Sequence, residues 1–217
     1  MSLTHAALKA RQRAERGRHP PGIAVRIHRA LSWLGRAERC GGDGDARFIF
    51  LWIAFNAAYA NEIPGEEFTE KKIFRNFIKR LVELDQDHLL ADLIWTEFPG
   101  AIRILLGNRY VYEPFWDFHR GNIGEQEWKI RFSRKKSATT RAFARNNTAG
   151  VLISVFSSLY VLRNQIMHGG ATWNSAVNRD QVRDCTNILA KAVPLVIQIL
   201  MDNPDALWGD PVYPVIE

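Results

Sequence analysis

The chain has few cysteines and no long apolar run. Its two cysteines, Cys40 and Cys185, form neither a Cys-x-x-Cys pair nor a cluster with histidine, so the sequence predicts free thiols and gives no zinc site to propose. The longest apolar run, Phe48 to Ala60, is interrupted by Asn56 and is too short to span a bilayer. A Gly-x-x-x-x-Gly-Lys phosphate loop is also missing. We therefore expect no metal, no cofactor and no membrane partner.

The charge balance is basic and unevenly distributed. The chain has 29 Lys and Arg against 23 Asp and Glu, and a formal net charge of +6. This charge permits binding to a polyanion but does not establish it. Basic residues concentrate in Lys9–Arg18 and in a basic run that extends from Lys129 through Lys136 to Arg145. The basic N-terminus has no apolar signal core, so we expect a cytoplasmic protein.

Helical periodicity dominates the chain, and no alternating strand pattern of useful length is present. The segment that follows residue 45 is apolar almost all round, so its helix should be central. These patterns predict an all-α helical bundle in a single domain over residues 1–217, with an N-terminal helical extension at about 1–20 and an extended tail at about 203–217. The predicted helices are Leu3–Arg16, the stripe Ile23, Ile27, Ala30, Leu31 and Leu34, Ala46–Ala60 capped by Asp45, one that begins at Thr69, Asp87–Phe98, one capped by Asn147 or Thr148, and one capped by Asn178 that contains Pro194.

The helix that follows Asn147 ends in the segment Leu162-Arg163-Asn164-Gln165-Ile166-Met167-His168-Gly169-Gly170. Its apolar residues recur at core spacing, whereas Tyr160, Asn164 and His168 follow one another at four-residue spacing and form a polar line. Arg163 borders this line, about 140° around the helix from His168 at roughly 100° per residue. Arginine binds phosphate through a planar fork of donors, and histidine exchanges protons near neutrality. Together they indicate RNA phosphodiester chemistry.

The basic run supports two interpretations. Its cations can follow an RNA backbone, with the aromatic side chains of Trp128, Phe132 and Phe143 stacking on bases. Alternatively, the cations form a solvated helix face and the aromatics turn inward. Trp173 likewise either stacks on a base or caps the core. The substrate-binding candidates in this run are Lys129, Arg131, Arg134, Lys135 and Lys136.

The motif Arg163-Asn164-xxx-His168 resembles the Arg-polar-x-x-x-His motif of the HEPN superfamily. A second similarity is Trp52-Ile53-Ala54-Phe55-Asn56-Ala57-Ala58-Tyr59 on the early apolar helix, which looks like the Trp-x-x-Phe-Asn-x-x-Tyr pattern of several HEPN-like bacterial families. The similarity covers about residues 24–62 and 147–202, and it leaves about 66–145 as an apparent helical insertion. One departure is Gly170, where toxins paired with nucleotidyltransferase antitoxins usually carry tyrosine, so control by adenylylation is not implied.

The resemblance implies metal-independent cleavage of RNA by a homodimer, in a toxin or defence effector, with an antitoxin protein as a further partner. It assigns proton transfer to His168 and phosphate binding to Arg163. Asn164 would orient the ribose or phosphate or fix the histidine tautomer, Tyr160 would contact substrate, and Asn56 would assist from the neighbouring helix. A helical module that binds RNA or protein without catalysis, or that only dimerises, remains the alternative.

The same residues have a purely structural interpretation. His168 would be stabilised by the helix dipole at a C-terminus, and Arg163 would pair with a carboxylate such as an aspartate of the last helix. Asn56 would be a buried amide that is hydrogen-bonded between helices.

Overall fold

The computed structural model describes residues 3–59, 70–176 and 178–206, together with Trp208 and Tyr213. These residues form ten α-helices and no β-strand, so the predicted all-α class is confirmed. The helices are α1 (His5–Glu15), α2 (Pro21–Glu38), α3 (Gly44–Tyr59), α4 (Glu70–Leu84), α5 (Leu89–Asp92), α6 (Pro99–Gly107), α7 (Glu113–His119), α8 (Glu125–Ala144), α9 (Thr148–Met167) and α10 (Arg179–Asp202). Short 3-10 turns occupy Arg16–Arg18 and Arg109–Val111, and a π-helical turn occupies Leu93–Glu97.

The chain divides into two compact units. The first comprises Met1–Leu90 with Val182–Glu217, and the second comprises Ala91–Gln181. These boundaries do not coincide with the predicted insertion at about 66–145. The single domain over residues 1–217 and the insertion stay predictions.

In the first unit, α2 and α3 pack along each other. All five apolar residues of the predicted α2 stripe are buried, because three-to-four spacing places them on one helix face. The aromatic residues of the Trp-x-x-Phe-Asn-x-x-Tyr segment contribute to packing, since Phe55 and Tyr59 stack at 5.8 Å between ring centroids. Phe77 of α4 lies 6.2 Å from Phe55. The described part of this pattern therefore has a structural role in the core.

Two predicted helix starts differ in the structure. Asp43, and not Asp45, caps α3, since Asp43 Oδ1 accepts a hydrogen bond from the N–H of Ala46 at 2.9 Å. Asp45 lies in the first turn, where a carboxylate is favoured by the helix dipole. The predicted helix Asp87–Phe98 begins later, at Leu89, and becomes a π-helical turn at Leu93–Glu97. The predicted start of α4, Thr69, lies outside the described residues.

The described part of the C-terminal segment is more buried than predicted. Trp208 is 5% exposed, and its ring centroid lies 5.9 Å from that of Phe77. Its Nε1 donates to the carbonyl of Asn203 at 2.8 Å, and its own carbonyl accepts from Arg26 Nη1 at 2.9 Å. The prediction of a surface segment is therefore wrong at Trp208.

The last helix buries more residues than α3, which the sequence predicts to be central, and more than α9. α10 has thirteen buried residues, against seven in α3 and eight in α9. It continues through Pro194 without ending. By length and composition α9 and α10 could each cross a membrane. Of their most apolar stretches, 44% is buried inside the protein in α9 and 67% in α10, so α10 is the one that is mostly buried.

In the second unit, α9 packs against α6, α8 and the 3-10 turn Arg109–Val111. The side-chain amide of Asn147 caps α9, as predicted, because its Oδ1 accepts from the N–H of Gly150 at 3.0 Å. The buried face of α9 follows the predicted spacing with Val151, Leu152, Val155, Phe156, Leu159 and Leu162. This packing fixes the helix that carries the motif.

Candidate functional site

The C-terminal end of α9 is set by two glycines. The N–H of Gly170 donates to the carbonyl of Gln165 at 2.7 Å, and the N–H of Gly169 donates to that of Ile166 at 3.3 Å. This pair of bonds is a Schellman motif. It requires a left-handed residue after the cap, and Gly169 has φ of +69°. His168 is consequently the C-cap residue of α9.

His168 is exposed at this helix end. Its backbone N–H donates to the carbonyl of Asn164 at 3.0 Å, whereas its imidazole has no hydrogen-bond partner among the described residues. Because the backbone is fixed and the ring is open to solvent, the imidazole is free to meet a substrate.

Arg163 is held one turn earlier. Its guanidinium Nη1 donates to Oδ1 of the adjacent Asn164 at 2.9 Å. Arg163 is half-buried, and its Nε is buried without a hydrogen-bond partner in the part of the chain that the structure describes. No described carboxylate lies within 4.0 Å of it, so the ion pair of the structural interpretation is absent from these residues. A buried guanidinium donor without a partner is costly unless an anion or water occupies it.

The polar line predicted along α9 is present on its exposed side. Tyr160 is 44% exposed, and Asn164 is half-buried. One turn before Tyr160, Ser157 Oγ donates back to the carbonyl of Ile153 at 2.7 Å. The polar line thus consists of a phenol, an amide and an imidazole, the side chains of Tyr160, Asn164 and His168, along one helix face.

The loops beside the end of α9 add exposed aromatic surface. Gln165 Nε2 donates to the carbonyl of Tyr110 at 2.6 Å, which ties the 3-10 turn to α9. Tyr110 is 46% exposed and Trp173 is 75% exposed. The interpretation in which Trp173 caps the core is therefore wrong. The hydrogen bond from Gln165 to Tyr110 could not be predicted from the sequence, because a glutamine that bonds a distant carbonyl has the same local pattern as any surface glutamine.

The basic run on α8 does not act as one surface. Near the helix start, Lys129 pairs with Glu125 at 2.7 Å between Nζ and Oε1, and Arg131 pairs with Glu127. These two cations are therefore locally neutralised, although such exposed pairs contribute little to stability.

The C-terminal half of α8 and its C-cap residue, Arg145, keep their positive charge. Arg134, Arg141 and Arg145 are exposed and have no ion pair among the described residues. Lys136 is exposed as well, with its Nζ 5.4 Å from the ring centroid of Phe132. Among the predicted substrate-binding cations, Arg134 and Lys136 therefore have no carboxylate partner in the described residues, whereas Lys129 and Arg131 each have one. RNA binding by this run stays a prediction.

The aromatics of α8 turn inward, which decides between the two interpretations for these side chains. Trp128 is buried, with its ring centroid 5.2 Å from that of Phe115. Phe143 packs edge-on against Trp95 at 5.4 Å. Stacking on bases by Trp128 and Phe143 is accordingly not supported.

Lys135 lies apart from the other cations of the run. Its Nζ is 3.3 Å from Oγ of Ser158, a fully buried residue of α9. The Nζ also lies 5.0 Å from the ring centroid of Tyr112 and 5.9 Å from that of Phe132. Burial lowers the pKa of Lys135 to about 8, because a low-dielectric environment disfavours the ammonium form. A signal existed in the sequence: Trp128, Phe132 and Lys135 share one helix face at i, i+4 and i+7.

Asn56 belongs to the first unit, whereas Arg163 and His168 belong to the second. Asn56 is half-buried on α3, and its side chain has no hydrogen bond among the described residues. The predicted interhelical amide bond is therefore not formed with them. A role for Asn56 in substrate binding stays a prediction.

The thiols and metal-ligating residues are dispersed. Cys185 is buried and Cys40 is half-buried, and both are free. Burial raises the pKa of the Cys185 thiol, which makes it a poor nucleophile. Over the described ranges, no three His, Cys, Asp or Glu side chains come together as a metal site.

Comparison with known proteins gives no assignment. No family model, no curated protein and no solved structure matches this chain. The function must therefore be argued from the side chains themselves.

Proposed function

We propose that the chain is a metal-independent endoribonuclease of HEPN type that acts in the cytoplasm as a toxin or defence effector. The observation that carries this proposal is the end of α9: an exposed imidazole at a rigid C-cap and, in the last turn and a half of the same helix, an arginine that a neighbouring amide orients and that no described carboxylate neutralises. Phosphate binding and proton transfer are thereby combined on one helix end.

The chemistry requires one group to bind phosphate and others to move protons. A base removes the proton of the ribose 2′-hydroxyl, and the 2′-oxygen then bonds to phosphorus. The bond from phosphorus to the 5′-oxygen breaks, and an acid protonates that oxygen. The products are a 2′,3′-cyclic phosphate and a 5′-hydroxyl. His168 supplies proton transfer, and the guanidinium of Arg163 stabilises the charge that develops on phosphate.

A homodimer would complete this arrangement. One α9 carries a single motif histidine, whereas the reaction needs both a base and an acid. A two-fold axis brings two copies of the same helix end together. A phosphate between two Arg163 side chains would relieve their mutual repulsion. An antitoxin that covers the same helix end would keep the activity silent.

Purified protein is expected to cleave mixed single-stranded RNA in excess chelator and to leave 2′,3′-cyclic phosphate ends. Arg163→Ala should abolish the cleavage, because it removes the phosphate fork. Arg120→Ala is the control, since Arg120 is an exposed arginine already paired with Glu113 and Asp117 and outside the basic run. Fragments with 3′-hydroxyl ends, or equal cleavage by Arg163→Ala, would reject the proposal.

The charged half of α8 favours a second candidate, an RNA-binding module without catalysis. Three exposed arginines there have no described ion pair, and unpaired cations release counterions from RNA on binding. This candidate predicts RNA binding that depends on salt and survives replacement of His168.

The two halves of α8 should differ in their contribution to RNA binding. The triple change Arg134→Ala, Arg141→Ala and Arg145→Ala is expected to reduce the slope of log K against log salt by about 2, since each single-strand phosphate contact contributes roughly 0.7. The double change Lys129→Ala and Arg131→Ala should have a smaller effect, because both cations already have carboxylate partners. Titrations by fluorescence anisotropy at several salt concentrations measure both. Equal slopes for the two variants would contradict the assignment.

A further inference from the structure

The side chain of Lys135 has surroundings unlike those of the exposed cations around it. Its Nζ lies beside the ring pair Tyr112 and Phe132, 5.0 and 5.9 Å from their centroids, and reaches the hydroxyl of Ser158. The two rings contact each other, with 5.2 Å between their centroids, and we call the recess that they and Ser158 border the slot. Ser158 is 0% exposed, so the hydroxyl that Nζ reaches is buried. Tyr112, Phe132 and Lys135 are each half-buried, so each of these residues stays partly exposed to solvent.

The slot holds an amine without a counterion. No carboxylate lies within 4.0 Å of Lys135 among the described residues, in contrast to Lys129, which pairs with Glu125. Arg131 also pairs with a glutamate of its own helix. The charged form of Lys135 therefore has a hydroxyl and two aromatic rings beside it and no described carboxylate. Aromatic rings attract a cation, but this attraction does not replace the hydration that burial removes from an ammonium.

We infer that Lys135 is a modification site, at which the amine is acylated by small acyl donors such as thioesters in preference to the exposed lysines. The lone pair of Nζ bonds to the acyl carbon, and the carbon–sulfur bond breaks with its electron pair on the departing thiolate. The surplus proton of the nitrogen passes to water. The product is an amide and a free thiol. No oxidant, reductant or metal takes part.

The protonation state of Lys135 supports this reactivity. Only the neutral amine is a nucleophile, and a pKa of about 8 leaves a far larger neutral fraction at neutral pH than the ordinary value of 10.5. The phenol of Tyr112 shows the same effect, since burial raises its pKa while the nearby Arg131 lowers it. Both groups resist ionisation because the slot is poorly hydrated. The acyl amide, being neutral, suits the same surroundings.

The neighbouring residue provides a matched control. Lys136 is exposed on the same helix, and its Nζ also lies near the ring of Phe132. If accessibility alone governs acylation, Lys136 reacts faster. If desolvation governs it, Lys135 reacts faster although it is more buried.

The test is competitive acetylation of the full chain with N,S-diacetylcysteamine at pH 7.5, with peptide mass spectrometry to give a rate constant for each lysine. Lys135 is expected to react about tenfold faster than Lys136, since the gain in neutral amine is partly offset by lower intrinsic nucleophilicity. A rate constant for Lys135 at or below that of Lys136 overturns the inference.

Two variants separate desolvation from other causes. Phe132→Ala opens the slot to water, so it should slow acetylation of Lys135 although it exposes the amine more. Ser158→Ala removes the hydroxyl that hydrogen-bonds to Nζ. Because the loss of one hydrogen bond destabilises the ammonium form further, the rate constant for acetylation of Lys135 should rise about two- to threefold. Circular dichroism melting verifies that each variant folds. Faster acetylation in Phe132→Ala, with the fold intact, would show that access controls the reaction and would overturn the inference.

Discussion

Replacing His168 by alanine is expected to reduce the rate constant of RNA cleavage by about 10²- to 10⁴-fold, the usual contribution of general acid–base catalysis. In a homodimer the change removes both motif imidazoles at once. The fold should be unaffected, because the side chain is exposed and has no hydrogen-bond partner among the described residues. Single-turnover cleavage of a labelled RNA in excess chelator measures the effect.

His28→Ala is the control for this change. His28 is also exposed, on α2 of the first unit, and belongs to no motif. RNA affinity should be the same in wild type and in His168→Ala, since phosphate contacts are made by arginine. Undiminished cleavage by His168→Ala would leave His168 as a residue that only ends a helix. The absence of cleavage by wild type and variant alike, with RNA binding intact, would instead favour the RNA-binding module.

Replacing Trp208 by alanine is expected to reduce the free energy of unfolding of the first unit by about 3–5 kcal/mol, as for other buried tryptophans. The change leaves a cavity against Phe77 and removes the hydrogen bond from Nε1 to the carbonyl of Asn203. It also disturbs the partner of the buried Arg26, which donates to the Trp208 carbonyl. Hydrogen exchange of the α2 and α3 amides, read by mass spectrometry, reports this unit separately.

Tyr213→Ala provides the comparison for that prediction. Tyr213 is 76% exposed, and its described contact is a backbone one, from Arg29 Nη1 to its carbonyl. Its replacement should change the unfolding free energy by less than about 0.5 kcal/mol, as is usual for surface positions. A cost below about 1 kcal/mol for Trp208→Ala would show that the ring is not a core element.

The end of α9 illustrates how much of the candidate site follows from local sequence. Helical spacing places Leu152, Val155 and Leu159 on the buried face, and the pair Gly169-Gly170 ends the helix directly after His168. Both features depend on neighbours within about one or two turns. The exposure of His168 and the amide that orients Arg163 are consequences of the same short segment.

The basic run shows where such reasoning fails. Its cations are alike in sequence, yet Arg131 is neutralised by Glu127, Arg134 has no described partner, and Lys135 is enclosed. The pairing of Arg131 is visible at i, i+4 spacing. For Lys135 the helical spacing shows only that it shares a face with Trp128 and Phe132. Its contacts with Tyr112 and Ser158, each 23 residues away in the chain, carry no such signal.

By itself, the sequence determined the all-α class, the buried stripes of α2 and α9, the capping of α9 by Asn147 and its termination after His168, since each depends on contacts within a single helix. Tertiary structure decided the burial of Trp208, the inward turn of Trp128 and Phe143, and the desolvation of Lys135. It also assigned Asn56 and Arg163 to different compact units. These outcomes depend on which distant segments pack together, and the periodicity of one helix carries no information about the partner that covers its face.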